Sequence, residues 1–246
     1  MKGKSTNIIG RQPVLEALEE GVQLERIFLQ KNISGEAIEA IRSKAQKLQI
    51  PINTVPIEKL NSLTRSNHQG VIAINSLVHY EDLQNAIDYV VSQGEIPLFV
   101  MLDGITDVRN IGAIARTALC CGAQLLILPD KGIGAINEEA IKSSAGALQK
   151  IMICRVNSLL KAVDTLHLNG IQVYSSTMTA NVKVFDADFS QPVCVIMGSE
   201  DKGIQPYLIK SSDVHVSIPM KGNFDSLNVG VATGIILFEA CKQRLS

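Results

Sequence analysis

The sequence predicts an α/β fold built on a mainly parallel sheet, and two features of its apolar residues lead to that prediction. Of the 246 residues, 46% are hydrophobic and 19% are charged, which is enough apolar material for a substantial core. In the later part of the chain, short strand-like runs, three of them apolar at every position, alternate with stretches of helical periodicity. Continuous apolar strands are typical of a parallel sheet that helices cover on both faces. The runs occupy residues 98–102, 125–128, 171–175, 193–197 and 214–218.

Polar and glycine-bearing loops follow four of these runs, at residues 103–112, 176–179, 198–203 and 219–228. Ligands of open α/β sheets bind at the carboxyl ends of the strands, so we expect a binding site where these loops meet. The sequence has no GxGxxG after the first of these strands and no GxxxxGK[ST] anywhere. Ordinary dinucleotide and P-loop nucleotide sites are therefore disfavoured.

The first 77 residues are typical of a smaller α/β unit. Amphipathic helical patterns at residues 13–20, 35–48 and 57–63 alternate with apolar runs at residues 26–29 and 71–74. Each apolar run is short enough for a strand, and each helical pattern is long enough for one or more turns.

A polar opening followed by a helical pattern marks residues 78–95. The apolar positions of that pattern are Leu83, Ile87, Val90 and Val91, so the segment can both link and pack. We therefore predict a first domain at residues 1–77, a linker with a packing helix at 78–95, and the main domain at 96–246.

Composition and charge exclude some classes of protein. No run approaches the roughly 18 uninterrupted apolar residues that cross a bilayer, and the opening MKGKSTNIIGRQ lacks the apolar segment of a secretory signal. We expect a cytoplasmic protein without a membrane partner. The net charge of −1 makes no global case for nucleic acid. Residues 1–77, however, hold ten Lys and Arg against seven Asp and Glu, a small excess that would suit RNA phosphates.

The cysteines and histidines indicate neither a metal site nor a redox site. The cysteines are odd in number, lie in apolar runs and lack CxxC spacing, so we expect buried free thiols. The histidines show no ligand spacing, and we predict no metal. The cysteines are Cys120, Cys121, Cys154, Cys194 and Cys241.

The first polar loop carries the motif DGITDVRNIGAIARTAL, residues 103–119. Asn110 is a good N-cap for a helix that begins near Ile111. Arg116 follows six residues later, about one and two-thirds turns along the helix. The pair could brace the loop from the first two turns. A capping asparagine with a solvated arginine is the alternative interpretation.

The second motif is IMGSEDKGI, residues 196–204. A buried strand ends at Gly198, the acidic Glu200 follows, and Gly203 allows the chain to reverse close to a ligand. A tight turn of this kind could equally be only structural.

The third motif is SIPMKGNFDSLNVGVATGI, residues 217–235. A glycine-bearing loop leads into an apolar helix that we expect to begin near Leu227, with Ser226 as its N-cap. Asn228, at the start of this otherwise apolar helix, is harder to assign to a purely structural role.

Taken together, NIGAIAR, IMGSEDKGI and IPMKGNFDSLNVGVATGI resemble the three motifs of the SpoU (TrmH-like) branch of the SPOUT RNA methyltransferases. The resemblance covers about residues 96–246. The opening IIGRQPVLEAL and the later HQGVIA resemble the small ribosomal-protein-L30e-like substrate-binding domain of one subgroup. That subgroup methylates a guanosine ribose in 23S ribosomal RNA.

The resemblance implies a fold and a cofactor that the residue pattern alone does not. It implies a deep trefoil knot near the C-terminus with S-adenosylmethionine (AdoMet) held in the knotted loops. Matching of motif positions centres the cofactor contacts on Gly198, Ile218 and Leu227. Close backbone approach explains the glycine, and the two apolar side chains would pack the adenine. The nearby cofactor residues are Thr177, Met197, Gly203 and Met220.

The resemblance also implies a homodimer through the C-terminal domain, in which residues of one subunit complete the site of the other. A guanidinium almost never gives up its proton, so we favour an electrostatic role for Arg116 at an RNA phosphate and at the developing alkoxide. Water or a nearby carboxylate would take the proton. Asn110 and Glu200 would orient Arg116. The catalytic residues implied are Asn110, Arg116, Glu200, Ser226 and Asn228.

RNA is the expected partner, held through phosphate contacts from Arg11, Lys31 and Arg65. Each of these three side chains could instead be an ordinary solvated charge. The activity expected is 2'-O-methylation of a ribose, in 23S rRNA or, as an alternative, in tRNA. A non-catalytic RNA-binding or ribosome-assembly protein on the same fold is the third possibility.

Overall fold

The structure, a computed structural model, describes residues 7–222 and 226–245. The chain divides into two compact units, with the boundary between His79 and Tyr80. Both units have an α/β architecture, as the sequence predicted.

Within residues 7–79, the first unit comprises a four-stranded sheet and three helices. The strand order is β1-β4-β2-β3; β4 is antiparallel to both of its neighbours, and β2 and β3 are parallel. Apolar side chains from α1, α2, β2 and β4 form its core. The elements are β1 (Asn7–Ile9), α1 (Arg11–Glu19), β2 (Leu24–Gln30), α2 (Glu36–Lys47), β3 (Ile52–Val55), α3 (Ile57–Leu63) and β4 (Val71–Asn75).

The second unit is a seven-stranded sheet in the order β7-β6-β5-β10-β8-β11-β9, and all of its neighbouring strands are parallel. The predicted parallel sheet is therefore confirmed. Its elements are α4 (Leu83–Ser92), β5 (Leu98–Asp103), α5 (Val108–Cys120), β6 (Leu125–Pro129), α6 (Glu138–Ser143), β7 (Met152–Val156), α7 (Leu159–Leu168), β8 (Gln172–Ser176), β9 (Val182–Lys183), β10 (Val193–Gly198), α8 (Pro206–Lys210), β11 (Val214–Ser217) and α9 (Val229–Leu245).

The central strands are covered because their side chains are apolar on both faces. Every residue of β5 is buried. Phe99 and Met101 share a core with buried side chains of α4, α7 and α8. Helix α4 joins this core through Leu83, Ile87 and Val90, whereas Val91 is exposed. The segment at 83–92 is thus a packing helix of the second unit. The trefoil knot stays a prediction.

Candidate active site

Three polar side chains from different segments meet beside the carboxyl end of β10. Nδ2 of Asn110 donates to Oε1 of Glu200 at 3.1 Å. Nδ2 of Asn228 donates to the same Oε1 at 2.6 Å and to Oδ1 of Asn110 at 3.0 Å. The backbone N–H of Val229 also points to Oε1 of Glu200, at 3.3 Å. We call Asn110, Glu200 and Asn228 the polar triad.

Asn110 reaches the triad because it is not the N-cap of its helix. Helix α5 begins at Val108, and the Asp107 carboxylate caps it by accepting from the N–H of Arg109 at 2.9 Å. The expected cap at Asn110 is therefore wrong by three residues. Both Asp and Asn are favoured caps, and the earlier of the two is used here. The amide of Asn110 is left free for tertiary contacts.

Asn228, and not Ser226, caps helix α9. Its Oδ1 accepts from the N–H of Gly230 at 2.9 Å and of Val231 at 3.3 Å, which is N-cap geometry. The expected cap at Ser226 is therefore wrong, and the cap lies two residues later. One asparagine thus provides the cap through its oxygen and the triad contacts through its nitrogen.

Close packing of α5 and α9 brings the two asparagines together. A Cβ added to Gly230 would lie 3.5 Å from the Cβ of Ala113, and one added to Gly234 would lie 3.6 Å from Cγ2 of Thr117. Asn110, Ala113 and Thr117 share one face of α5, because residues three and four apart line the same face of a helix. The small side chains let the start of α9 approach the start of α5.

A tight turn after β10 positions Glu200. The N–H of Gly203 donates to the carbonyl of Ser199 at 2.9 Å, and Gly203 has a φ of +65°, which a glycine adopts without strain. The backbone of Gly203 and Ile204 lies so close to Gly198 that any Cβ at Gly198 would overlap it. Steric constraints therefore explain why glycine occupies both of these positions in the second motif.

A cavity of about 350 Å³ lies at the carboxyl ends of β8, β10 and β11. That volume is within the range of small-molecule sites, and mostly apolar walls with a few polar groups are typical of them. Glu200 and Ser226 border the cavity. All seven residues that the resemblance assigned to the cofactor line it: Thr177, Met197, Gly198, Gly203, Ile218, Met220 and Leu227. Residues 223–225 of the third motif lie outside the described residues.

Several residues of the cavity wall are not among the predicted site residues. Ile209 of α8 and Ala232 of α9 line it from within helices, and only tertiary packing brings them there. Asp201 and Lys202 also line it. Both belong to the second motif, but no role was predicted for them. The alternation of loops and strands predicted where the cavity lies, but not which helices close it.

Arg116 does not join the triad. Six residues at 100° each place it about 120° around the helix from Asn110. Its side chain is exposed, and among residues 7–222 and 226–245 no hydrogen bond or ion pair to it is found. The expected contact with Asn110 and Glu200 therefore does not form within this chain; those two residues bind Asn228 instead.

The three expected RNA contacts lie at one end of the first sheet. Arg11 opens α1, Lys31 directly follows β2, and Arg65 lies in the loop before β4. Because β4 is antiparallel to β1 and β2, these three loops are neighbours. Lys31 and Arg65 are exposed, while Arg11 is partly held by a bond from its Nε to the carbonyl of Gln69 at 3.1 Å. An open polar cleft at this end includes Arg11.

The thiols divide into buried and accessible groups. Cys154 and Cys194 are buried, and burial raises the pKa of both well above the ordinary thiol value. Cys121 is partly buried, and its pKa is raised first by desolvation and then by the nearby thiols of Cys241 and Cys120. Cys120 is exposed, so the expectation that all five are buried is wrong for part of the set.

The described residues contain no cluster of three or more His, Cys, Asp or Glu arranged to hold a metal ion. Among the same residues, no helix has both the length and the apolarity of a membrane span.

Comparison with known proteins identifies both units. Residues 97–238 match the SpoU rRNA Methylase family, and residues 7–80 match the family described as RNA 2'-O ribose methyltransferase substrate binding. A putative TrmH family tRNA/rRNA methyltransferase of Staphylococcus haemolyticus is 31% identical over 96% of this chain and 95% of that protein. An uncharacterized tRNA/rRNA methyltransferase of Synechocystis sp. is 34% identical over 96% of this chain, which spans 62% of that longer protein.

Solved structures share the architecture. The SpoU methyltransferase AviRb from Streptomyces viridochromogenes, solved in complex with AdoMet, aligns with a TM-score of 0.63 at 26% identity, over 97% of this chain and 90% of that one. An AdoMet-bound rRNA methyltransferase from Sinorhizobium meliloti aligns with a TM-score of 0.59 at 26% identity, over 98% and 88% of the two chains. The resemblance predicted from the three motifs is confirmed, and the chain belongs to the SpoU family of RNA methyltransferases.

Proposed function

We propose that this protein transfers the methyl group of AdoMet to a ribose 2'-hydroxyl of RNA. The observation that carries the proposal is the cavity at the carboxyl ends of β8, β10 and β11, with the polar triad beside it. The AdoMet complexes of AviRb and of the Sinorhizobium meliloti enzyme support the choice of cofactor.

The residues of the cavity fit AdoMet in size and chemistry. Met197, Ile218 and Leu227 supply apolar surface for an adenine ring, and Gly198 lines the same wall. Thr177, Gly203 and Met220 complete the wall that we assign to the cofactor. When bound, AdoMet supplies an electrophilic sulfonium methyl group.

The residues around the cavity are assigned to positioning and electrostatics. Correct near-attack geometry can contribute about 7–11 kcal/mol to such a transfer. Oε1 of Glu200 already accepts from Asn110, Asn228 and Val229, so we assign Glu200 to holding these segments in place and not to taking the proton. Ser226 borders the cavity and would shape the ribose pocket. Water is the proton acceptor in this proposal.

Arg116 is proposed to act on RNA as a charged donor. Its guanidinium is exposed and without a described partner, so it is available for a phosphate and for the developing negative charge on the ribose oxygen. Because it lies away from the triad of its own chain, we propose that it completes the site of a second subunit.

An exposed apolar surface supports the proposed homodimer. Val231, Ile235 and Phe238 of α9 are 52%, 38% and 66% exposed, and Phe185 beside them is 57% exposed. They form one patch, and patches of this kind on a globular unit mark interaction surfaces. A second copy of the chain would cover it, and α9 packs against α5, the helix that carries the exposed Arg116.

Ribosomal RNA is the proposed substrate class, with a guanosine of 23S rRNA as the target. The description of the family matched by residues 97–238 supports rRNA, and the match at residues 7–80 supports a separate RNA-binding unit. Arg11, Lys31 and Arg65 are proposed to contact phosphates at the loop end of that unit. The relatives' tRNA/rRNA names keep tRNA as the alternative substrate. We retain the trefoil knot and the domain limits 1–77, 78–95 and 96–246 as part of the proposal.

The test measures methyl transfer from radiolabelled AdoMet to unmodified 23S rRNA and to tRNA transcripts, followed by mass spectrometry of the nucleosides. We expect 2'-O-methylguanosine in 23S rRNA. A 2'-O-methyl group in tRNA alone would overturn the substrate but not the reaction. No product in either RNA, with no AdoMet binding by calorimetry, would overturn the reaction. Mapping of 2'-O-methyl sites in cells with and without the gene would identify the nucleotide.

A further inference from the structure

Asp103, the last residue of β5, is an ionisable side chain that is only 2% exposed. It pairs in register with Gly198 at the end of β10. A buried carboxylate is costly unless hydrogen bonds satisfy it. Its hydrogen-bond partners therefore indicate why an acid occupies this position.

Both carboxylate oxygens of Asp103 accept from one residue. The backbone N–H of Gln205 donates to Oδ2 at 2.7 Å, and Nε2 of Gln205 donates to Oδ1 at 3.0 Å. Two acceptors thus face two donors, a fork that a carboxylate matches and a single hydroxyl would not. The two residues are 102 positions apart in the chain.

Gln205 is the residue at which the turn of the second motif ends. Residues 198–204 line the cavity, and Glu200 within them accepts the hydrogen bonds of the polar triad. Strand pairing holds the entry of the turn, through Gly198 opposite Asp103, and Asp103 itself holds the exit through Gln205. One buried residue therefore borders both ends of the turn.

We propose that Asp103 is a positioning residue that fixes the exit of the 199–204 turn, and thereby the cavity wall and Glu200. Ile204 and Leu208 are buried in the core on the same segment, so the unit keeps an apolar anchor when the polar one is lost. Loss of Asp103 should therefore loosen the turn without unfolding the unit. The effect on AdoMet rests on the proposed function; the effect on the turn does not.

The experiment exchanges the two partners. Asp103→Asn leaves one acceptor for two donors, and Gln205→Glu sets two carboxylates against each other. In the double variant, the oxygen of the new Asn can accept from the N–H of residue 205, and its amide nitrogen can donate to the new Glu. Asp164→Asn, on the exposed face of α7, is the matched control.

Hydrogen exchange of the cofactor-free protein tests the turn directly. We expect each single variant to exchange the amides of residues 199–205 about 10-fold faster, and the double variant and the control to exchange them as wild type does. Unchanged exchange in both single variants would overturn the inference, and so would a double variant as fast as the single ones.

Calorimetry with AdoMet tests the functional consequence. We expect about 10-fold weaker binding in each single variant, with recovery in the double variant. If the single variants exchange faster but bind AdoMet as tightly as wild type does, the exit of the turn does not determine the shape of the cavity. A wild-type protein that binds no AdoMet would instead contradict the proposed function, while hydrogen exchange would still decide the role of Asp103.

Discussion

A single methyl group at Gly198 should disturb the cavity more than any other change of that size. The added Cβ of Gly198→Ala would overlap the backbone of Gly203 and Ile204, which cannot rotate aside as a flexible side chain would. Overpacking of this kind typically costs about 1–3 kcal/mol. For a unit of this size, that corresponds to a fall in Tm of about 2–12 °C.

The same overlap should weaken cofactor binding, because the turn can relieve it only by moving away from the end of β10. A loss of 1.4 kcal/mol or more in the binding free energy would reduce AdoMet affinity at least about 10-fold. Thermal unfolding by circular dichroism and calorimetric titration with AdoMet measure the two effects separately.

Gly170→Ala is a matched control in the same unit. Gly170 has a φ of +71°, with no atom within 4 Å of an added Cβ, so this variant introduces backbone strain without overlap. Left-handed strain costs roughly 1–2 kcal/mol. Gly170 lies just before β8, at the opposite end of that strand from the cavity. We expect a lower Tm with unchanged AdoMet affinity; a Gly198→Ala variant that behaves in the same way would refute the steric argument.

Four further changes test the remaining assignments. Arg116→Ala should lower single-turnover methylation about 100-fold with unchanged AdoMet affinity, and a near-wild-type rate would contradict its proposed catalytic role. Asn228→Asp keeps the oxygen that caps α9, but it replaces the Nδ2 donor to Glu200 with a carboxylate oxygen; we expect a lower Tm from the repulsion of the two carboxylates, and a slower methylation rate. Phe238→Glu should convert the proposed dimer to a monomer in analytical ultracentrifugation, whereas an unchanged dimer mass would exclude the α9 patch as the interface. The guanidinium of Arg244 donates to four backbone carbonyls, so Arg244→Met should lower stability by about 2 kcal/mol in a denaturant titration.

The sheet and the place of the cavity could be predicted because both depend on local patterns. A run such as residues 98–102 is apolar at every position, which only a strand buried on both faces explains well. The polar loops after those runs had to lie at one edge of the sheet once the strands were parallel. Neither step required knowledge of which elements contact each other.

Helix starts and the side chains that meet across the fold could not be predicted in the same way. Asp107 and Asn110 are both good caps, and sequence alone does not show which one the helix uses. For the same reason, Ser226 was predicted to cap α9, whereas Asn228 caps it in the structure. Asp103 is not among the predicted site residues, because its partner, Gln205, is brought near only by the pairing of β5 with β10.

The polar triad is held together by helix packing more than by its own hydrogen bonds. Its members are solvent-accessible, and a hydrogen bond of that kind contributes only about 0.5–1.5 kcal/mol net. Asn228 is fixed because it caps α9, and α9 is anchored by the buried Ile236 and Leu237. The close approach of α9 to α5 at Gly230, where an added Cβ would lie 3.5 Å from the Cβ of Ala113, then brings that cap to Asn110. The geometry beside the cavity therefore depends on small residues and apolar anchors that touch no ligand, and changes at the α5 and α9 interface should move it even when all three polar side chains are intact.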